Sequence, residues 1–124
     1  MKFCTVINCM DGRVQEPIIK YMKERFQADY VDSITEPGPI GILAKNTNQS
    51  IIENILLRTD ISVNKHKSDA LAIIGHYDCA GNPVSKSRQI EQVRQSMKYM
   101  GEHFPNITIV GLWVDENWQV HELD

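Results

Sequence analysis

The sequence has few cysteines, no long apolar run and no excess of positive charge. Its three cysteines, Cys4, Cys9 and Cys79, form an odd set without a secretory signal. This argues against a disulfide framework and leaves metal binding or catalysis as the chemical uses of the thiols. No apolar segment approaches the roughly 18 residues that a membrane-spanning helix needs. The formal net charge of −3 and the absence of a basic stripe exclude a typical nucleic-acid surface.

The composition is that of an ordinary globular protein, with 42% apolar and 23% charged residues. The length of 124 residues predicts a single domain, residues 1–124, with one hydrophobic core. The first residues, Met1 to Val6, contain one lysine and lead directly into a strand pattern. Because a signal peptide does not look like this, we expect a cytoplasmic protein without a membrane or nucleic-acid partner.

Short apolar runs alternate with helical patterns along the chain. Helices are predicted from Val14, from Ser50 and around Ile90, because apolar residues recur there at spacings of three and four. Ser50 and Glu53 have the form of a capping box, which favours a helix start at Ser50, although a start near Ala44 is an alternative. Five segments have the length and composition of strands: residues 3–8, 30–34, 71–75, 107–114 and 118–123.

The order of these elements predicts an α/β fold. Strands that alternate with helices form a mainly parallel sheet with helices on both faces. The last two strands are expected to be antiparallel because only a short turn separates them. Ligands bind such sheets at the carboxyl ends of the strands, where the winding direction reverses. In a strand order 2-1-3-4, the first and third strands are neighbours, and a site is expected at their ends.

Metal-binding residue types follow both of these strands. Cys9 comes after the first strand, and His76 and Cys79 come after the third. Zinc prefers thiolate and imidazole ligands, and a catalytic zinc site uses three protein ligands with a fourth position open. The sequence therefore predicts that these three residues bind one zinc ion (Zn²⁺). Cys4 lies within a strand and is expected to pack in the core.

Charged residues stand close to the predicted ligands. Asp11 and Arg13 follow Cys9, and an arginine can hold a carboxylate ionised and oriented through two charge-assisted hydrogen bonds. Such a carboxylate could accept a hydrogen bond from a water on the metal. The alternative is that Asp11 begins a simple turn that Arg13 caps. Asp78 is expected either to form a hydrogen bond beside the site or to cap a turn, and Trp118 is expected in the core or an interface.

The two motifs resemble those of a known family. Cys9-Met10-Asp11-Gly12-Arg13 resembles the Cys-x-Asp-x-Arg motif of the β-class carbonic anhydrases, and Gly75-His76-Tyr77-Asp78-Cys79 resembles their Gly-His-x-x-Cys motif. Residues 109–123 are similar to the closing hairpin of that family. The resemblance implies an α/β sheet in the order 2-1-3-4-5. It also implies that Cys9, His76 and Cys79 are zinc ligands and that Asp11 and Arg13 are the catalytic pair.

The function implied by the resemblance is the reversible hydration of carbon dioxide to bicarbonate by zinc-bound hydroxide, in a homodimer or a larger homo-oligomer. Two alternatives stay open. One is a non-catalytic zinc-binding module, in which Asp11 blocks the metal, and the other is a hydrolase of carbonyl sulfide or carbon disulfide. The first is motivated by two departures from the family. No N-terminal helical arm is found, and Thr35-Glu36-Pro37-Gly38 replaces an Arg-Asn-Ala-Gly run, which adds a negative charge that is expected to weaken bicarbonate binding.

Overall fold

A computed structural model describes residues 1–124 and contains one five-stranded sheet in the order β2-β1-β3-β4-β5. The first four strands run parallel, and β5 is antiparallel to β4. This confirms the predicted α/β fold and its strand order. The strands are β1 (Phe3–Cys9), β2 (Tyr30–Glu36), β3 (Ala70–His76), β4 (Thr108–Val114) and β5 (Val120–Glu122).

The helices cover both faces of the sheet, as predicted. Four α-helices are present: α1 (Gln15–Phe26), α2 (Pro39–Lys45), α3 (Gln49–Asp60) and α4 (Lys86–His103). Helix α1 packs on one face, and the other three pack on the opposite face. A 3-10 turn, Gly12–Val14, precedes α1, and a π-helical turn, Ile61–Lys65, follows α3. None of the helices is both long enough and apolar enough to cross a membrane.

The side chains of β3 divide the core into two layers. Ala70, Ala72 and Ile74 pack in the layer that contains α1, whereas Leu71 and Ile73 pack in the layer of the other helices. Every residue of β3 is buried, as expected for a central parallel strand. A slip by one residue would exchange the two layers, so burial on both faces fixes the register. The ends of β1 and β3 are therefore held side by side.

The connection between β2 and β3 differs from the single predicted helix. Helix α2 begins at Pro39 and ends at Lys45, and the residue that caps it, Asn46, has a left-handed backbone. Proline suits the first turn of a helix, and a left-handed residue ends one. The alternative start near Ala44 is wrong, because Ala44 belongs to α2 and the next helix is separate.

The predicted capping box at Ser50 is also wrong. The side chain of Asn48 accepts a hydrogen bond from the Ile51 N–H and caps α3. The Ser50 hydroxyl instead donates to the Asn48 side chain at 3.2 Å. Asparagine is as good an N-cap as serine, and here it stands two residues earlier. The helix therefore begins at Gln49.

Helix α4 and strand β5 differ from the sequence prediction in detail. Ile90 and Met97 of the predicted apolar row are only half-buried. The buried face of α4 instead includes three polar residues: Gln89, Gln92 and Ser96. Strand β5 is shorter than the predicted segment 118–123, because Trp118 lies in the turn that precedes it.

Candidate metal centre

Strands β1 and β3 end side by side, and each carries part of the predicted site. Cys9 is the last residue of β1, and His76 is the last residue of β3. Cys79 lies in the loop after β3, and all three side chains are buried. One potential ligand atom of each residue lies within 4.8 Å of the other two. The fold thus brings together two thiols and an imidazole that are far apart in the sequence.

The geometry of the three residues fits a zinc ion. The sulfurs of Cys9 and Cys79 are 3.8 Å apart, and two thiolates on a tetrahedral zinc, each at about 2.3 Å, would be separated by about 3.8 Å. Nδ1 of His76 lies 2.7 Å from the Tyr77 carbonyl oxygen. Donation to that oxygen leaves Nε2 as the unprotonated nitrogen. This Nε2 is buried without a hydrogen-bond partner, so it is available to a metal.

The close contact of the two thiols makes their protonation interdependent. The hydrogen bond from Cys79 lowers the pKa of Cys9. The main-chain N–H groups of Gly38 and Asp11 lower it further. The same contact raises the pKa of Cys79. Because thiolates are the metal-binding form, a divalent cation that binds both sulfurs would displace the Cys79 proton.

Two glycines let the loops after β2 and β3 pack closely. Gly38 has a φ of +59°, and a Cβ at this position would lie 2.6 Å from the Cβ of Asn82. A Cβ on Gly81 would lie 2.7 Å from Pro37. Neither position therefore accepts a side chain without displacing its neighbours. The close approach keeps the Gly38 N–H beside the Cys9 sulfur.

The main chain of His76 is held by Gln89 of α4. The Gln89 side-chain oxygen accepts a hydrogen bond from the His76 N–H at 3.1 Å, and its nitrogen donates to the His76 carbonyl at 2.8 Å. Pairing between β1 and β3 ends at Ile7 and Ile73. The Gln89 carboxamide, itself buried, thus takes the place of a neighbouring strand and fixes the main chain from which the imidazole extends.

Arg13 holds the carboxylate of Asp11 through several hydrogen bonds. Its Nη2 lies 2.7 Å from Oδ2, and its Nε lies 3.1 Å from Oδ1. The Arg13 main-chain N–H also donates to Oδ1 at 2.9 Å, so Asp11 caps the 3-10 turn as well. The turn and the ion pair therefore coexist. Hydrogen bonding by the Arg13 side chain lowers the pKa of Asp11 to about 2, and the carboxylate is ionised at neutral pH.

Comparison with known families assigns the chain. A family model described as "Putative carbonic anhydrase" matches residues 1–124. The chain belongs to this carbonic anhydrase family. The resemblance stated from the two sequence motifs is thereby confirmed. No curated protein sequence matches this carbonic anhydrase-family chain at a significant level.

Solved structures of β-carbonic anhydrases share the fold. Isoform I of Trichomonas vaginalis gives a TM-score of 0.64 at 15% identity, over 97% of this chain and 80% of that chain. A match to two tetrameric enzymes of Sordaria macrospora gives 0.61 at 14% identity, over 98% and 80%. CafD of Aspergillus fumigatus gives 0.61 at 13% identity, over 100% and 90%. At these identities the similarity concerns the fold, which is the predicted β-carbonic anhydrase fold.

The contact of Asp78 with Arg13 corresponds to the first of the two roles expected for Asp78. Two other features of this carbonic anhydrase-family site were not predicted from the sequence. The Trp118 ring packs on Arg13, and Gln89 supports His76. A polar residue next to the apolar row of a helix was the available signal for Gln89. No sequence signal pointed to the contact between Trp118 and Arg13.

Proposed function

We propose that this chain is a zinc-dependent carbonic anhydrase that interconverts carbon dioxide and bicarbonate, with Cys9, His76 and Cys79 as the zinc ligands. The observation that carries the proposal is the buried Nε2 of His76, which has no partner in the protein and belongs to one cluster with the two sulfurs. A buried polar atom without a partner costs free energy. A metal ligand role accounts for it, and the family membership supports the reaction.

Asp11 and Arg13 have distinct proposed roles in this reaction. When bound, zinc supplies a Lewis acid that makes hydroxide available near neutral pH. Carbon dioxide gains hydroxide to become bicarbonate, and one proton is released. The Asp11 carboxylate accepts a hydrogen bond from the attacking group and orients it. Because its pKa is about 2, Asp11 does not hold the released proton at neutral pH. The proton passes to solvent. Arg13 keeps the carboxylate ionised and directed.

The arrangement of Asp11 favours catalysis over a non-catalytic zinc module. The non-catalytic alternative requires the carboxylate to occupy the fourth metal position. Both carboxylate oxygens are instead bonded to Arg13. The preference for carbon dioxide over carbonyl sulfide or carbon disulfide rests on the family membership.

The proposed assembly is a homo-oligomer, with a dimer as the smallest form. The similar enzymes of Sordaria macrospora are described as tetrameric. Sedimentation velocity of the purified protein tests this part of the proposal separately. A single monomeric species at micromolar concentration would contradict it.

Metal analysis and kinetics together test the function. Wild-type protein is expected to carry about one zinc per chain, Cys9→Ser to lose it and Cys4→Ala to keep it, since Cys4 is buried outside the cluster. In stopped-flow assays, zinc-loaded wild-type protein should accelerate carbon dioxide hydration over buffer, increasingly at higher pH. Wild-type protein that binds no zinc, or zinc-loaded protein that hydrates no faster than buffer, rejects the proposal.

A further inference from the structure

Two loop residues have a left-handed backbone, which tryptophan in particular disfavours. Five residues other than glycine have a positive φ. Gln27 and Asn46 end helices, where this conformation is common, and Lys67 lies in the connection that leads to β3. The other two are Asp78, with a φ of 58°, and Trp118, with a φ of 59°. A left-handed tryptophan is a strained residue that needs a compensating contact.

Both of these residues contact the guanidinium of Arg13. Its Cζ lies 4.5 Å from the centroid of the Trp118 ring. Its Nη1 lies 3.2 Å from the Asp78 carboxylate, and its Nη2 lies 3.0 Å from the Asp78 carbonyl oxygen. The remaining edge is bonded to Asp11. The guanidinium is thus held at its edges by two aspartates and on its face by an indole ring.

The turn between β4 and β5 presents Trp118 to Arg13. The Trp118 N–H donates to the Asp115 carbonyl at 2.9 Å. The Asp115 carboxylate accepts hydrogen bonds from the Asn117 and Gln119 N–H groups, both at 2.9 Å. Glycine is the residue that fits the left-handed position of such a hairpin turn without strain. The contact with Arg13 gives a reason for tryptophan in its place.

We propose that Trp118 is a positioning residue that, together with Asp78, holds the Arg13 guanidinium against Asp11. The Arg13 side chain is 44% exposed, so without the indole ring it can turn towards solvent. Asp11 would then lose the partner that directs its carboxylate. The contact between Trp118 and Arg13 exists whether or not the protein catalyses a reaction. Only the effect on hydration rests on the proposed function.

The test follows the Nε–H signal of Arg13 by NMR in the whole 124-residue chain with added zinc. The signal, assigned with Arg13→Lys, is expected to be shifted by the ring current of Trp118. Trp118→Gly removes the ring and relieves the backbone. It should move the signal to that of a free arginine and raise the exchange of this proton with water about two- to fivefold. Trp118→Phe keeps an aromatic face and should keep the shifted signal.

Two further variants separate positioning from folding. Trp118→Leu retains an apolar side chain in the turn without an aromatic face, and it replaces Trp118→Gly if that protein does not fold. Gln27→Gly relieves a positive φ far from Arg13 along the chain and should leave the signal unchanged. If the Arg13 Nε–H of the folded Gly or Leu variant exchanges with water at the wild-type rate, the proposal is overturned.

Hydration kinetics distinguish the positioning role of Trp118 from the proposed carbonic anhydrase activity. If both hold, zinc-loaded Trp118→Gly hydrates carbon dioxide more slowly than Trp118→Phe, with the loss in kcat. If neither the wild type nor the variants hydrate carbon dioxide and the NMR results still change as expected, the positioning of Arg13 by Trp118 is supported and the proposed function is rejected.

Discussion

Arg58 of α3 forms an ion pair with the carboxylate of Glu36, at the end of β2. Glu36 is the register neighbour of Cys9, so this charge arises beside the strand end that carries a proposed ligand. From the sequence alone, the acidic residue was expected to weaken bicarbonate binding. The positive charge of Arg58 compensates the negative charge of Glu36. Glu36 therefore does not place an unpaired anion beside the site.

The pair predicts that Arg58→Gln is more harmful than Glu36→Gln. Removal of the arginine leaves a negative charge that repels bicarbonate, and KM for bicarbonate dehydration should rise about two- to fivefold. Glu36→Gln leaves the positive charge of Arg58, which attracts bicarbonate, and should keep KM at or below the wild-type value. The double variant should restore it, because neither charge is present. A double variant as impaired as Arg58→Gln would contradict the electrostatic explanation.

The two hydrogen bonds between Gln89 and His76 predict a large loss of stability in Gln89→Ala. The substitution leaves a buried N–H and a buried carbonyl without partners, which should lower the free energy of unfolding by on the order of 2–5 kcal/mol. Urea denaturation measures this. Gln95→Ala is the matched control, since Gln95 is an exposed residue of the same helix, and should change stability by less than about 0.5 kcal/mol. Equal effects of the two substitutions would rule out the proposed support of His76.

The glycine contacts predict opposite effects for two glycine-to-alanine substitutions. Gly38→Ala should destabilise the protein by about 1–3 kcal/mol, because the new Cβ meets Asn82 and the loop backbone. It should also weaken zinc binding in a chelator competition, since the Gly38 N–H lowers the pKa of the Cys9 thiol and a shifted loop would reduce this effect. Gly101→Ala lies within α4 with its nearest contact at 3.7 Å and should stabilise by up to about 1 kcal/mol. Unchanged zinc affinity in Gly38→Ala would contradict the loop contribution.

The strands and the three-residue cluster could be predicted because both follow from simple rules. Short apolar runs marked β1 and β3, and the crossover connections of a parallel sheet made their carboxyl ends neighbours. Cys9 and His76 are the last residues of those strands. Their meeting therefore required only correct strand positions, without any knowledge of loop conformation.

The face of α4 and the role of Trp118 could not be predicted for two different reasons. Apolar periodicity assigns glutamine to the exposed side, but Gln89 can be buried because its carboxamide oxygen and nitrogen are both hydrogen-bonded to the main chain of His76. For Trp118, the sequence predicted the first residue of a strand, and it did not indicate the left-handed backbone that directs the ring to Arg13. Such a conformation is maintained by tertiary contacts, which the local sequence does not encode.

The hairpin that carries Trp118 is attached to α1 by Tyr21. The Tyr21 hydroxyl donates to the Glu122 carboxylate at 2.7 Å, and Nε of Arg25 lies 3.0 Å from the same oxygen. Burial, and then the hydrogen bond to Glu122, raise the pKa of Tyr21 to about 12 from an ordinary value of 10.0. The protonated hydroxyl is therefore stabilised in the folded protein.

This shift predicts a loss of stability at alkaline pH that depends on Tyr21. Since the folded pKa lies above the unfolded one, the contribution of the hydroxyl is fully present below about pH 10 and is lost as the pH rises towards 12. The difference in unfolding free energy between wild type and Tyr21→Phe should thus be constant up to pH 10 and decrease above it. Urea denaturation of both proteins from pH 8 to pH 11.5 measures this difference. Taking the difference cancels the pH dependence of the groups that the two proteins share. The difference between the absorbance titrations of wild type and Tyr21→Phe gives the ionisation of Tyr21 itself. If Tyr21 ionises near pH 10 in the wild type, the attachment is not formed.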